Sequence, residues 1–242
     1  MQTNVLDYIQ THRDPYVDEL KTWLAIPSIS ALPEHAGDVR RAAEWAQAEM
    51  SRVGLQNVRL IDTPGNPVVY GEWLGAPDAP TVLYYGHYDV QPVDPIDLWS
   101  TPPFEATVRD GELFARGASD DKGQIFMHFK ALEAHMAHGG RLPVNFKMIL
   151  EGEEEVGSKH LDGFIRDHRD LLKADVVVIS DTGMFAKGVP SLCYGLRGLC
   201  YMQMDKVEDA VSAFDRALGL APSFTDARNN RGSAYLAQGK AQ

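Results

Sequence analysis

Three short apolar runs each end abruptly in acid or histidine, and this is what most limits how the chain can fold. Val82-Leu83-Tyr84-Tyr85-Gly86 leads into His87-Tyr88-Asp89, Phe146-Lys147-Met148-Ile149-Leu150 into Glu151-Gly152-Glu153-Glu154-Glu155, and Val176-Val177-Val178-Ile179-Ser180 into Asp181. Runs this short and this rich in β-branched and aromatic residues read as strands buried on both faces. Helical patterns at Asp120–Ala137 and Ser158–Leu172 separate them, and that alternation predicts an α/β domain with a mostly parallel sheet flanked by helices. In such a sheet, ligands bind beyond the carboxyl ends of the strands. Parallel neighbours would therefore bring one imidazole and several carboxylates to a single point, with Asp120 near the start of the helix that follows Arg116-Gly117-Ala118-Ser119.

Around these runs, Asn4–Ile26 shows apolar residues at helical spacing, with Pro15 opening its second part. Asp38–Val53 reads as a helix capped by Asp38 and closed by Gly54. Pro64-Gly65-Asn66-Pro67 marks a turn. Val68–Leu74 reads as another strand, and Phe104–Val108 with Glu112–Ala115 as a hairpin through Asp110-Gly111.

Acids after strands are commonly turn formers and helix caps, and a single histidine is commonly a packing residue. The conjunction is different, because clustered carboxylates repel unless they are protonated or neutralised by a cation. Imidazole with carboxylate oxygen suits zinc, with manganese or cobalt as alternatives.

The remaining composition removes other classes. With 23 Lys and Arg against 34 Asp and Glu, the net charge of −11 is a poor match for a phosphate backbone, so no nucleic acid is expected. No apolar stretch approaches the roughly 18 residues of a membrane span, and Met1–Asp14 has no basic leader or apolar signal core. Cys193 and Cys200 are too few for a disulfide framework, which leaves reduced thiols and a cytoplasmic location as the expectation.

Near residue 198 the texture changes. Val207, Ala210, Val211, Phe214, Ala217 and Leu218 form a helical stripe followed by Pro222. Arg197, Gly198 and Tyr201 recur 34 positions later as Arg231, Gly232 and Tyr235, a period resembling the tetratricopeptide repeat. The division read from this is an α/β domain over residues 1–204 and a short helical-hairpin tail over 205–242.

The strings Gly86-His87-Tyr88-Asp89-Val90, Arg116–Gly123, Glu151–Ser158 and Ile179-Ser180-Asp181 resemble those of the dizinc metallopeptidases. That family includes carnosinase-like dipeptidases, aminoacylase, acetylornithine deacetylase and succinyl-diaminopimelate desuccinylase. Trp99–Phe104 and Tyr194–Gly198 look closest to the dipeptidase branch. The resemblance implies a metal-dependent hydrolase of peptide or other amide bonds that acts through a metal-activated water and holds one or two divalent ions. Its substrate would be a dipeptide or, alternatively, an N-acyl amino acid.

By the same resemblance, His87 and Asp181 bind a first metal, Asp120 bridges to a second, and Glu155 binds the second. Asp89 orients the imidazole, and Glu154 is the general base. The assignment is open by one position within Glu153-Glu154-Glu155 and between Asp120 and Asp121. Family members carry a lid domain and a later histidine ligand that have no counterpart before residue 242. Weak or absent turnover, and a monomer or weak self-association, are the corresponding expectations. A further alternative is a protein-interaction module built on the repeat-like tail. His128, His135, His138, His160 and His168 lie outside any such motif and read as surface or packing residues.

Overall fold

The computed structural model describes residues 5–184, 206–220 and 225–238. It divides into two compact units, residues 1–181 and 182–242.

In the first unit the N-terminal helical pattern splits into α1 (Val5–Thr11) and α2 (Arg13–Leu24) at His12. Pro15 lies in the first turn of α2, where a missing N–H costs nothing. Helix α3 (Ala36–Arg52) buries Val39, Ala42, Ala43, Ala46 and Met50, a stripe at three- and four-residue intervals. It begins two residues before the expected cap. Asp38 lies inside the first turn, where it accepts the His35 ring N–H at 2.6 Å and a bond from Arg41. The helix closes at Gly54, whose φ of +96° suits only glycine well.

Among the described residues seven strands follow the chain order: β1 (Gln56–Ile61), β2 (Val68–Trp73), β3 (Thr81–His87), β4 (Thr107–Arg109), β5 (Glu112–Phe114), β6 (Asn145–Glu151) and β7 (Val176–Ile179). The small antiparallel pair β4–β5 is the expected hairpin. The others form a five-stranded sheet in the order β1-β2-β6-β3-β7. β6 and β7 both run parallel to β3, whereas β1–β2 and β2–β6 are antiparallel. The sheet is therefore mixed, not mostly parallel. The six residues between β1 and β2 contain the Pro64–Pro67 turn and are too few for the crossover that a parallel pair requires. The sequence does not predict β1, because half of its residues are exposed and none is fully buried.

Helices cover both faces. Alternation along the strands sends Val69, Trp73, Tyr84, Phe146, Met148 and Leu150 toward Trp23, Ala42, Ala46, Ile125 and Phe129 of α2, α3 and α4 (Lys122–Gly139). It sends Val68, Tyr70, Leu83 and Ile149 toward Phe164 of α5 (Leu161–Asp167) and Leu172. Helix α5 is shorter than the Ser158–Leu172 pattern suggested: residues 152–160 form the loop that precedes it, and residues 168–172 are turns. The far edge strand, β7, leaves Val176, Val177 and Ile179 exposed.

The second unit contains α6 (Val207–Leu220) and α7 (Thr225–Ala237), which bury Ala210, Phe214 and Ala234 between them and pair Arg231 with Asp215 at 2.7 Å. Cys193, Cys200, Tyr194–Gly198 and the first half of the 34-residue recurrence lie outside the described residues. No described helix is long and apolar enough to cross a membrane.

Candidate metal centre

Strand register builds the site. His87 ends β3 directly opposite Glu151, the last residue of β6, so the segments that follow emerge side by side. Asp181 follows two residues after the end of β7, on the other side of β3. Asp120 comes from the turn just before α4. Gly86 lets that turn close in: a Cβ there would lie 2.7 Å from Asp121 Oδ2 and 2.8 Å from Ile125.

His87 is fully buried. Its Nε2 lies 3.1 Å from Asp120 Oδ1 and 3.6 Å from Asp181 Oδ2. Its Nδ1 faces Asp89, 3.3 Å from Oδ1 and 3.1 Å from the backbone carbonyl. Burial alone would disfavour a charged ring. The Asp89 hydrogen bond and the charges of Asp89, Asp121 and Asp181 outweigh it and push the imidazole up to about 10.

Asp89 is the hub of the surrounding loops. Its carboxylate accepts the backbone N–H groups of Glu154 at 3.3 Å and Glu155 at 3.2 Å, and the Ser30 hydroxyl at 2.6 Å. It lies beyond the end of β3 and not on it. Asp121 accepts the backbone N–H of His87 at 3.2 Å, while its buried Oδ1 has no partner. Burial, reinforced by Asp181 and Asp120, pushes Asp121 up to about 7.

Two groups of side chains bring one ligand atom each within 4.8 Å of one another: His87, Asp120 and Asp181; and His87, Glu154 and Glu155. His87 is common to both, and Asp120 is not. Glu154 and Glu155 are both raised, by burial first and then by neighbouring acids: Glu155, Asp181 and Asp89 at Glu154, and Asp120 and Asp89 at Glu155. Burial and Asp120 likewise raise Asp181. Mutual repulsion of this kind is what a divalent cation relieves, and an imidazole with one nitrogen held by a carboxylate and the other facing acids is the arrangement of a ligating histidine. The donor set therefore fits a divalent metal.

Glu153 is directed elsewhere, 2.7 Å from the His160 ring nitrogen. Gly65 admits this pair, since a Cβ there would lie 2.0 Å from Glu153 Oε1. A third acidic group, Glu19, Glu49 and Glu133, is already paired with two of the protein's own cations. Lys130 lies 2.8 Å from Glu49 and 3.1 Å from Glu133 and also binds Glu19, while Arg52 binds Glu49 at 2.6 Å.

Several contributors are given no role by the sequence reading. Ser30 lies about sixty positions from its partner Asp89, and Gln91 donates to Glu155 Oε2 at 2.6 Å. Glu151 accepts from Tyr85 and from Ser158 at 2.8 Å. Lys122 is fully buried and donates to the carbonyls of Trp23 at 3.2 Å and Ile26 at 2.7 Å; burial pushes it down to about 7. Its position next to the Asp pair is the one available hint.

A family model described as peptidase family M20/M25/M40 matches residues 83–223. Over 210 residues the chain is 38% identical to the Cys-Gly metallodipeptidase dug1 of Schizosaccharomyces pombe, covering 82% of this chain and 44% of that protein. It is 35% identical over 216 residues to the Beta-Ala-His dipeptidase of Homo sapiens, covering 83% and 42%. Among solved structures, human carnosine dipeptidase 1 matches with a TM-score of 0.70 and 37% identity over 74% of this chain and 40% of that one. The chain thus spans a little over two fifths of the length of the curated relatives it matches.

Proposed function

The chain belongs to peptidase family M20/M25/M40, and from that premise we propose that it contributes the metal-binding half of a dipeptidase. The observation that carries this reading is the convergence of His87 with Asp120 and Asp181 in one group of potential ligand atoms and with Glu154 and Glu155 in another.

In this reading His87, Asp120 and Asp181 hold a divalent ion, with Glu155 as a ligand of a second position. Zinc suits imidazole with carboxylate oxygens, and manganese or cobalt would fit the same donors. Among the described residues one imidazole serves both groups, so the two positions compete for His87, and the chain is expected to hold one ion more tightly than a second.

A bound divalent ion supplies Lewis acidity toward the scissile carbonyl and acidifies water. The protein side chains do the rest. Asp89 takes the Nδ1 proton of His87 in a hydrogen bond and leaves Nε2 free to ligate. Glu154, held by its own N–H on Asp89, receives the proton of the attacking water and returns it to the departing nitrogen. One water is consumed, and a carboxylate and an amine are released. Cys-Gly and β-Ala-His are the first substrates to try, because those are the dipeptides named in the relatives' activities.

The test is hydrolysis of both dipeptides by the zinc-loaded chain beside Glu154→Gln. Cleavage by the unaltered chain that falls at least about a hundredfold in the variant supports the reading, a loss typical of a removed general base. Equal rates in the two proteins would overturn it.

A further inference from the structure

The three residues assigned above to the first ion come from three different elements. His87 ends β3, Asp120 precedes α4 and Asp181 follows β7. A working constellation has to be held to about half an ångström, so these elements need a fixed mutual position close to the site. β7 is the weakest of them: four residues at the sheet edge, paired among the described strands only with β3, and largely exposed.

One hydroxyl links all three. Ser180, immediately before Asp181, has its Oγ 3.0 Å from the hydroxyl of Tyr84 and 3.1 Å from Nε2 of His128. Tyr84 is fully buried on β3, three residues before His87. His128 is on α4, eight residues after Asp120. The two rings stack at a tilt, with centroids 4.1 Å apart. A serine hydroxyl has one proton and two lone pairs, so it can donate to one of these partners while accepting from the other. Burial pushes His128 down to about 4, which keeps the ring neutral and leaves Nε2 able to serve on either side of that chain.

We propose that Tyr84, Ser180 and His128 are positioning residues for the metal centre, a three-way tie that fixes Asp181 relative to His87 and Asp120. The proposal rests on the metal-centre reading above. A merely structural role for this cluster would show in the stability of the metal-free protein. A positioning role shows in metal affinity and in the ligand field of the bound ion.

The experiment measures zinc affinity of the full chain by competition with a chromophoric chelator, and the visible absorption of the cobalt(II)-loaded protein. The variants are Ser180→Ala, Tyr84→Phe, His128→Ala and, as a reference, Asp181→Asn. Each tie variant is expected to weaken zinc binding about tenfold to a hundredfold, the usual range for groups that orient a ligand, and to shift the cobalt spectrum. The double variant Ser180→Ala/His128→Ala should be no weaker than Ser180→Ala alone, because both bonds pass through one oxygen. Ser180→Thr, which keeps the hydroxyl, should restore affinity. Where Ser180→Ala does not fold, Tyr84→Phe, which removes a single oxygen atom, decides. Wild-type affinity and spectrum in the tie variants, with binding lost in Asp181→Asn, overturn the tie alone. Wild-type affinity in Asp181→Asn, or no zinc binding by the unaltered chain, overturns the metal centre and the tie with it.

Discussion

Asp89 accepts the backbone N–H of Glu155 at 3.2 Å while its other oxygen stands 3.3 Å from His87 Nδ1. One carboxylate thereby joins the end of the third strand to the loop after the sixth. Asp89→Asn would turn an amide N–H toward one of these donors and break part of the junction. Zinc affinity should fall about tenfold to a hundredfold, and amide exchange at Glu154 and Glu155 should accelerate. Unchanged exchange there would mean that the loop holds its position by other means.

Gly123 offers a steric test at the helix that follows Asp120. A Cβ at this position would lie 2.0 Å from the carbonyl oxygen of Ala118. The carbonyl is backbone and the Cβ is rigidly attached to its own Cα, so the backbone between them must move. Gly123→Ala should cost about 1–3 kcal/mol of stability and weaken metal binding as well. Urea unfolding with and without zinc separates the two effects.

How much of this was legible in the sequence differs from residue to residue. The β-rich runs ending in His87 and Glu151 named their own strands, because a strand buried on both faces has few polar residues before its end; the run before Asp181 also forms a strand, but at the sheet edge and largely exposed rather than buried on both faces. The antiparallel β1 was hidden, since its exposed residues carry no buried stripe. The acids facing His87 were visible as a motif. Their separation into Glu153 on His160 and Glu154 with Glu155 near His87 depends on a loop geometry that spacing alone does not encode. His128 read as a packing residue, and it does pack on Tyr84; its bond to Ser180 spans 52 positions and had no local signature.

His128 also makes a pH prediction. Its folded value is about 4, against about 6.5 for a free histidine. Between these the unfolded chain carries the extra proton, so stability rises with pH through that window and is lost as pH falls below 6.5. At pH 5 the effect should be about 1–2 kcal/mol. The difference between wild type and His128→Gln in urea midpoints across pH 4–7 reads it directly. Parallel curves for the two proteins would contradict it.

Lys130 tests the distinction between two acidic clusters. It is nearly fully buried and lies 2.8 Å from Glu49 and 3.1 Å from Glu133. Lys130→Met leaves those acids with too little positive charge, and the loss should be about 3–5 kcal/mol. Zinc affinity at the His87 site per folded molecule should stay at the wild-type value, because this cluster shares no residue with that site. A thermal melt and a zinc titration of the same sample give both readings.

The central claim is that His87, Asp120 and Asp181 share one cation, and anomalous diffraction at the zinc edge from crystals of the zinc-loaded chain tests it most directly. The account predicts a peak about 2.0–2.2 Å from His87 Nε2 and from an oxygen of each aspartate. A zinc peak seated on other residues, with these three side chains uncoordinated, would contradict it.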